Sequence, residues 1–163
     1  MQNLFQQLRD CLNIQKNIAI KLFKASQQHL EALKRNNHTD IKATAGRQEI
    51  LTGELVKIQN TCSGLQDEIK NELGLPAGTA LSALSESAPG FLSHELLTLI
   101  QELRNLFVKI QDINEINNIL TQNALSFNER LINILLPKQR LTYKENGVID
   151  EKQPGISRLN LTV

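Results

Sequence analysis

The chain has 163 residues, a length that fits one domain, and its 18 basic and 17 acidic side chains leave a formal charge of +1. That balance, with Lys and Arg dispersed among acids, excludes a general electrostatic pull on nucleic acid or anionic lipid. Eight glycines, four prolines, 4 % aromatic residues and no tryptophan point away from sheets and toward long, narrowly packed helices.

The first predicted helix covers about 3–36. Alternating steps of four and three give Leu4, Leu8, Cys11, Gln15, Ile18, Leu22, Ala25, His29 and Ala32, and seven of these nine are apolar. Phe5, Leu12, Ala19 and Leu33 add a second row, so the stripe is wide enough for more than one helical neighbour. A polar break follows at Asn36-Asn37-His38-Thr39-Asp40, with Thr39 or Asp40 as the expected N-cap.

The second helix, about 40–73, carries Ile41, Leu51, Leu55, Ile58, Cys62, Leu65 and Ile69. Thr44, Gln48, Gly46 and Gly53 weaken its opening half, which is expected to be its least stable part. Leu73-Gly74-Leu75-Pro76 is a helix stop, with Gly after the last turn and then a proline. Residues 74–91 shift to Gly, Ala, Ser and Pro and read as a linker, with a short helix from Thr79 to Glu86 that puts Leu81 and Leu84 on one side.

The third long helix gives the strongest periodic signal. Leu92, Leu96, Leu99, Leu103, Leu106, Ile110, Ile113, Asn117, Leu120, Ala124, Phe127, Leu131 and Ile134 keep the four-three rhythm, with Asn117 the sole polar member. Such an asparagine fixes register or grips a partner. Pro137 ends the helix. The tail from 138 to 163 loses the helical period and is expected to be mobile when free and ordered on a partner.

These elements predict an all-α fold: an antiparallel bundle of three long helices, with a short helix in the second linker and a mobile C-terminal tail. The helical bundle domain spans 1–136, with helices at about 3–36, 40–73 and 92–136 and the linker at 74–91. The flexible tail is 137–163. The short break at 36–40 makes the first two helices an antiparallel hairpin, and the third runs back beside the second. At 1.5 Å per residue the third helix is longer than the other two by roughly 15 Å. Its last turns, with Phe127, Leu131, Ile134 and Leu135, are therefore expected to lack internal cover. An uncovered apolar seam marks an interaction surface.

Chemistry is absent from the pattern. Neither a phosphate loop nor GxSxG occurs, and His94-Glu95 opens like HExxH, but Thr98 stands where the second histidine is needed. The acids lack the Glu-x-x-His pairs of a di-iron bundle. No enzyme activity, metal or cofactor is expected. Cys11 and Cys62 stand alone and read as separate buried thiols rather than a disulfide or metal site, which points to a reducing compartment. No apolar run of about 18 residues is present to span a membrane, and the first residues do not read as a signal peptide.

Taken in order, these segments resemble the FlgN-type flagellar export chaperones. The resemblance rests on two long helices, the Leu73-Gly74-Leu75-Pro76-Ala77-Gly78 stop and the small-residue linker ending near Leu84. It continues through Asn114-Glu115-x-Asn117-Asn118-x-Leu120 on the third long helix to Thr142-Tyr143-Lys144-Glu145-Asn146-Gly147, which looks like the family's Tyr-x-x-x-Gly element. The chain departs from the family at His38-Thr39-Asp40-Ile41, where many members show Gly-Asp, and this implies a differently shaped bend.

The resemblance implies a cytoplasmic chaperone of type III flagellar export. Such a chaperone binds the C-terminal helical segments of the hook-associated proteins FlgK and FlgL, keeps them unassembled and delivers them to the flagellar export apparatus. It also implies client binding in the C-terminal half. The candidate partner-binding residues are Ile113, Asn117, Leu120, Ala124, Phe127, Leu131, Ile134, Leu135 and Tyr143. The competing reading is a structural coiled-coil protein that self-assembles through the same seam. A peripheral membrane helix ranks last, because the third long helix has few basic residues on its polar face.

Overall fold

The computed structural model describes residues 1–135. Four helices follow in order: α1 (Gln2–Lys34), α2 (His38–Leu73), α3 (Leu81–Glu86) and α4 (Phe91–Leu135). No strand occurs among the described residues. The three long helices and the short one match the predicted elements within a few residues. The predicted mobile tail, 137–163, lies outside the described residues. The chain forms a first compact unit, Met1–Ala124, and a second that begins at Leu125.

The bend between α1 and α2 is made by two asparagines with separate tasks. Asn36 adopts the left-handed conformation at φ 51° and ends α1. Its N–H donates to Leu33 O, and the Asn37 N–H reaches back to Ala32 O. Asn37 then caps α2: its side chain accepts from the Asp40 N–H at 3.2 Å, and its amide nitrogen donates to the Asp40 carboxylate at 2.7 Å. The cap is thus Asn37, not Thr39 or Asp40. Asp40 acts instead as the reciprocal partner in the first turn, where a negative charge favours the helix.

α2 ends as its sequence requires. Gly74 takes φ 67° and the Leu75 N–H bonds Lys70 O at 2.9 Å. Lys70 is buried, and its ammonium donates to Asp67 at 3.2 Å and to Ala77 O at 3.0 Å. That second bond ties the start of the linker to α2. Leu84, Ser85 and Ala88 are also buried, so the short helix and the turn after it pack on the core, while most of the rest of 74–90 is exposed. A local ladder of bonds fixes it, with the Thr79 hydroxyl donating to Pro76 O and the Ser85 hydroxyl to Leu81 O.

Within the first unit, three pairs join α1 to α2: Cys11 with Cys62, Ser26 with Gln48, and His29 with Thr44. Each pair is centred on the Asn36–Asn37 bend, the signature of an antiparallel hairpin paired without offset. Polar ties also join α4 to α1. Arg9 pairs with Glu95 at 3.6 Å, and Lys16 with Glu102 at 2.6 Å. Both steps are seven residues long, so α1 and α4 are parallel and in heptad register. These exposed ion pairs set alignment more than stability.

Phe5, Leu8, Ile69, Leu84 and Leu96 are fully buried and lie in one core cluster. They come from the start of α1, the end of α2, α3 and the start of α4. The deepest core therefore sits at the end of the hairpin remote from the bend. The first buried residue of α2 is Leu51, so its opening half contributes no fully buried side chain. Gly46 and Gly53 lie in that half, and an added methyl at either position meets no atom within 4 Å. Gly46→Ala and Gly53→Ala should each stabilise the protein by about 0.5–1 kcal/mol, read as a higher urea midpoint with unchanged slope.

Cys11 and Cys62 overturn one expectation. They are not separate thiols but a disulfide, with Cα atoms 5.9 Å apart, joining α1 to α2. The in-register hairpin brings them opposite each other. Cysteine usage therefore gives no argument for a reducing compartment.

Candidate functional site

The second half of α4 changes character along its length. Ile110 is buried, Ile113 half-buried, Asn117 buried and Leu120 half-buried. From Thr121 to Leu135 every residue is exposed. Ala124 is among these, and four large apolar side chains of the predicted seam stand out: Phe127 is 61 % exposed, Leu131 39 %, Ile134 73 % and Leu135 75 %. Tyr143 lies outside the described residues.

The seam residues therefore fall into two groups. Ile113, Asn117 and Leu120 belong to the first unit and are wholly or partly covered. Phe127, Leu131, Ile134 and Leu135 belong to the second and are exposed. The sequence reading omitted Leu125 and Ile132, which are also more than half exposed, as is Ile119 in the first unit. Leu125 and Ile132 each follow a seam position by one residue. The row of neighbours that widened the stripe on α1 was the signal that could have found them.

Among the described residues no helix is long and apolar enough to cross a membrane, and no group of three or more His, Cys, Asp or Glu is placed to hold a metal. The exposed row offers apolar area, not reactive groups. What such a surface can do is bury itself against a complementary apolar helix.

A polar node lies beside the covered part of the seam. Ser26 is fully buried and meets both of the other long helices. Its hydroxyl accepts from Gln48 Nε2 at 2.8 Å, and its carbonyl oxygen accepts from Asn117 Nδ2 at 3.1 Å. The Ser26 carbonyl fixes the orientation of the Asn117 amide, since only the NH2 group can face an acceptor. Asn117, 6 % exposed, thus ties α4 to α1 at one height. This is the register-setting role of a buried asparagine. Its Oδ1 has no hydrogen-bond partner among the described residues. With His29, Gln48, Asn114, Asn118 and Thr121 it lines an open polar cleft of about 350 Å³.

His29 sits at the edge of the node, its Nδ1 2.8 Å from Thr44 Oγ1. The Thr44 hydroxyl is 2.6 Å from Asp40 O and spends its proton there, so Nδ1 carries the hydrogen of the imidazole bond. Burial lowers the His29 pKa, opposed by a hydrogen bond to the Ile41 backbone. The unfolded chain therefore binds a proton at His29 more readily than the folded one. The stability this residue contributes is complete above its unfolded value, about 6.5, and is lost as pH falls through the lower folded value. Urea midpoints between pH 7.5 and 5 should fall for the wild type, and by less for His29→Gln.

A fold of long helices with a row of exposed apolar side chains at the end of α4 is suited to binding another helix. The chain belongs to the FlgN family: the family model described as FlgN protein matches residues 1–151. Membership implies a flagellar export chaperone, and the family is one of chaperones rather than enzymes. A curated relative from Bacillus subtilis (strain 168), YvyG, is described as an uncharacterized protein. It is 27 % identical over 143 residues, covering 86 % of this chain and 85 % of the relative. No solved structure matches.

Proposed function

We propose that this protein is a cytoplasmic chaperone of type III flagellar export. It binds the C-terminal helical segments of the hook-associated proteins FlgK and FlgL, prevents their premature assembly and delivers them to the export apparatus. The contact surface is the C-terminal half of α4, with Ala124, Phe127, Leu131, Ile134 and Leu135 exposed on it, the covered Ile113, Asn117 and Leu120 at its inner end, and Tyr143 joining it.

The observation that carries the proposal is the exposure of Phe127, Leu131, Ile134 and Leu135 on a single helix. Burying each on a partner is worth about 1.5–3 kcal/mol before the costs of association. Those costs are about 4–15 kcal/mol, so a surface of this size gives moderate, reversible affinity. Reversibility suits a carrier that must release its cargo.

The test is capture of purified FlgK or FlgL by the whole chain and by a version ending at Ala124. The truncated protein should remain helical and lose capture. Undiminished capture would remove the proposed surface. Light scattering on the free protein separates the competing reading: an oligomer that persists on dilution supports self-assembly through the same row, and a monomer opposes it.

A further inference from the structure

We infer that Cys11 and Cys62 form a reversible dithiol–disulfide couple that clamps α2 onto α1. The first support is where the bond sits on α2. Its buried side chains are Leu51, Cys62, Ile69 and Lys70, against ten buried residues on α1. Cys62 lies between Leu51 and Ile69, the other buried apolar residues of α2, with Leu55, Ile58, Leu65 and Leu73 partly buried beside them, so the bond fixes the middle of the face that α2 packs on the core.

The second support is that the site accommodates the reduced form. Cys11 Sγ lies 3.7 Å from the Ile58 carbonyl oxygen, one turn before Cys62. A Cys11 thiol has an acceptor in place and leaves no stranded donor in the core. Both cysteines are shielded, with Cys11 5 % and Cys62 2 % exposed. Exchange with a reagent in solution therefore requires α2 to lift away, and α2 is the long helix with the fewest buried side chains.

The chemistry needs a partner disulfide as oxidant, such as a glutathione-type disulfide. One cysteine thiolate attacks it, forms a mixed disulfide and expels one small thiolate. The second cysteine attacks the mixed disulfide, closes the Cys11–Cys62 bond and expels the other. Two protein thiols lose two protons and two electrons, and the reagent disulfide becomes two thiols. Reduction by a small dithiol runs the same steps in reverse.

Joining residues 51 apart restricts the unfolded chain, so the oxidised form should melt higher than the reduced form by about 5–15 °C. Hydrogen exchange should rise on reduction, chiefly in α2.

The experiment uses the full chain equilibrated in glutathione buffers from fully reduced to fully oxidised. Free thiols are counted by alkylation after rapid denaturation, and melting is followed in parallel. The expected result is interconversion of two thiols and none, reached from both directions, with the melting shift following it. Cys62→Ala should abolish the redox dependence of melting, and Cys11→Ala provides a second test should that variant fold poorly. Three results would overturn the inference: a bond that native protein never releases to dithiothreitol, thiols that never pair under oxidation, or pairing that leaves both melting and α2 exchange unchanged.

Discussion

Replacing Phe127 and Ile134 together with serine should weaken capture of a hook-associated protein by about 100-fold or more, while the melting midpoint stays within about 2 °C of wild type. Both side chains are largely exposed, so the free protein loses little when they shrink. In a complex they would provide the greater part of the apolar contact, and large aromatic and aliphatic anchors dominate interfaces of this kind. Titration calorimetry measures the affinity and circular dichroism the melting. Unchanged affinity with intact helicity would move the binding surface off this row. Equal loss of affinity and stability would mean that the row is packed in the free protein.

Phe5→Ala has the opposite character, costing about 3–5 kcal/mol of stability without touching the proposed surface. Residues so near a terminus usually fray. Here Phe5 is fully buried, among the core residues that α1, α2, α3 and α4 contribute at the end remote from the bend. Truncating it opens a cavity that four helices would have to close together. Phe91 is the matched control: it is the same residue type at a helix start, but mostly exposed, so Phe91→Ala should change stability by no more than about 0.5 kcal/mol. Urea denaturation of the two variants side by side measures the contrast. Equal effects would show that the core does not converge on Phe5.

The sequence made the long helices legible because Leu and Ile recur at seven-residue intervals, and the end of α2 legible because Gly74 and Pro76 suit a helix stop and little else. The start of α2 was harder. Asn36, Asn37, His38, Thr39 and Asp40 include several good caps, and only the backbone decides which one accepts from the amide of Asp40. The disulfide was hidden for a related reason. Cys11 and Cys62 lie at equal distances from the bend, but that bend must first be placed between Asn36 and Asn37. A one-residue error in its position turns one sulfur away from the other. The exposed end of α4 was readable from helix lengths alone. The tie from Asn117 to the Ser26 carbonyl was not, because a backbone acceptor on another helix leaves no mark in composition or period. The burial of Ser85 and Ala88 was masked likewise, since small residues carry little hydropathy signal.

The hairpin pairs Cys11 with Cys62, Ser26 with Gln48 and His29 with Thr44, each at matched heights on its two arms. The arms are yoked like the rails of a ladder, and neither can change length alone. One residue added to α2 between Thr44 and Cys62 would rotate everything beyond it by about 100° and break the rungs on that side. Compensated insertions of seven residues in both arms would preserve every rung. Length in this architecture is therefore quantised, and it changes by mirrored heptads about the bend or at the cost of the pairing.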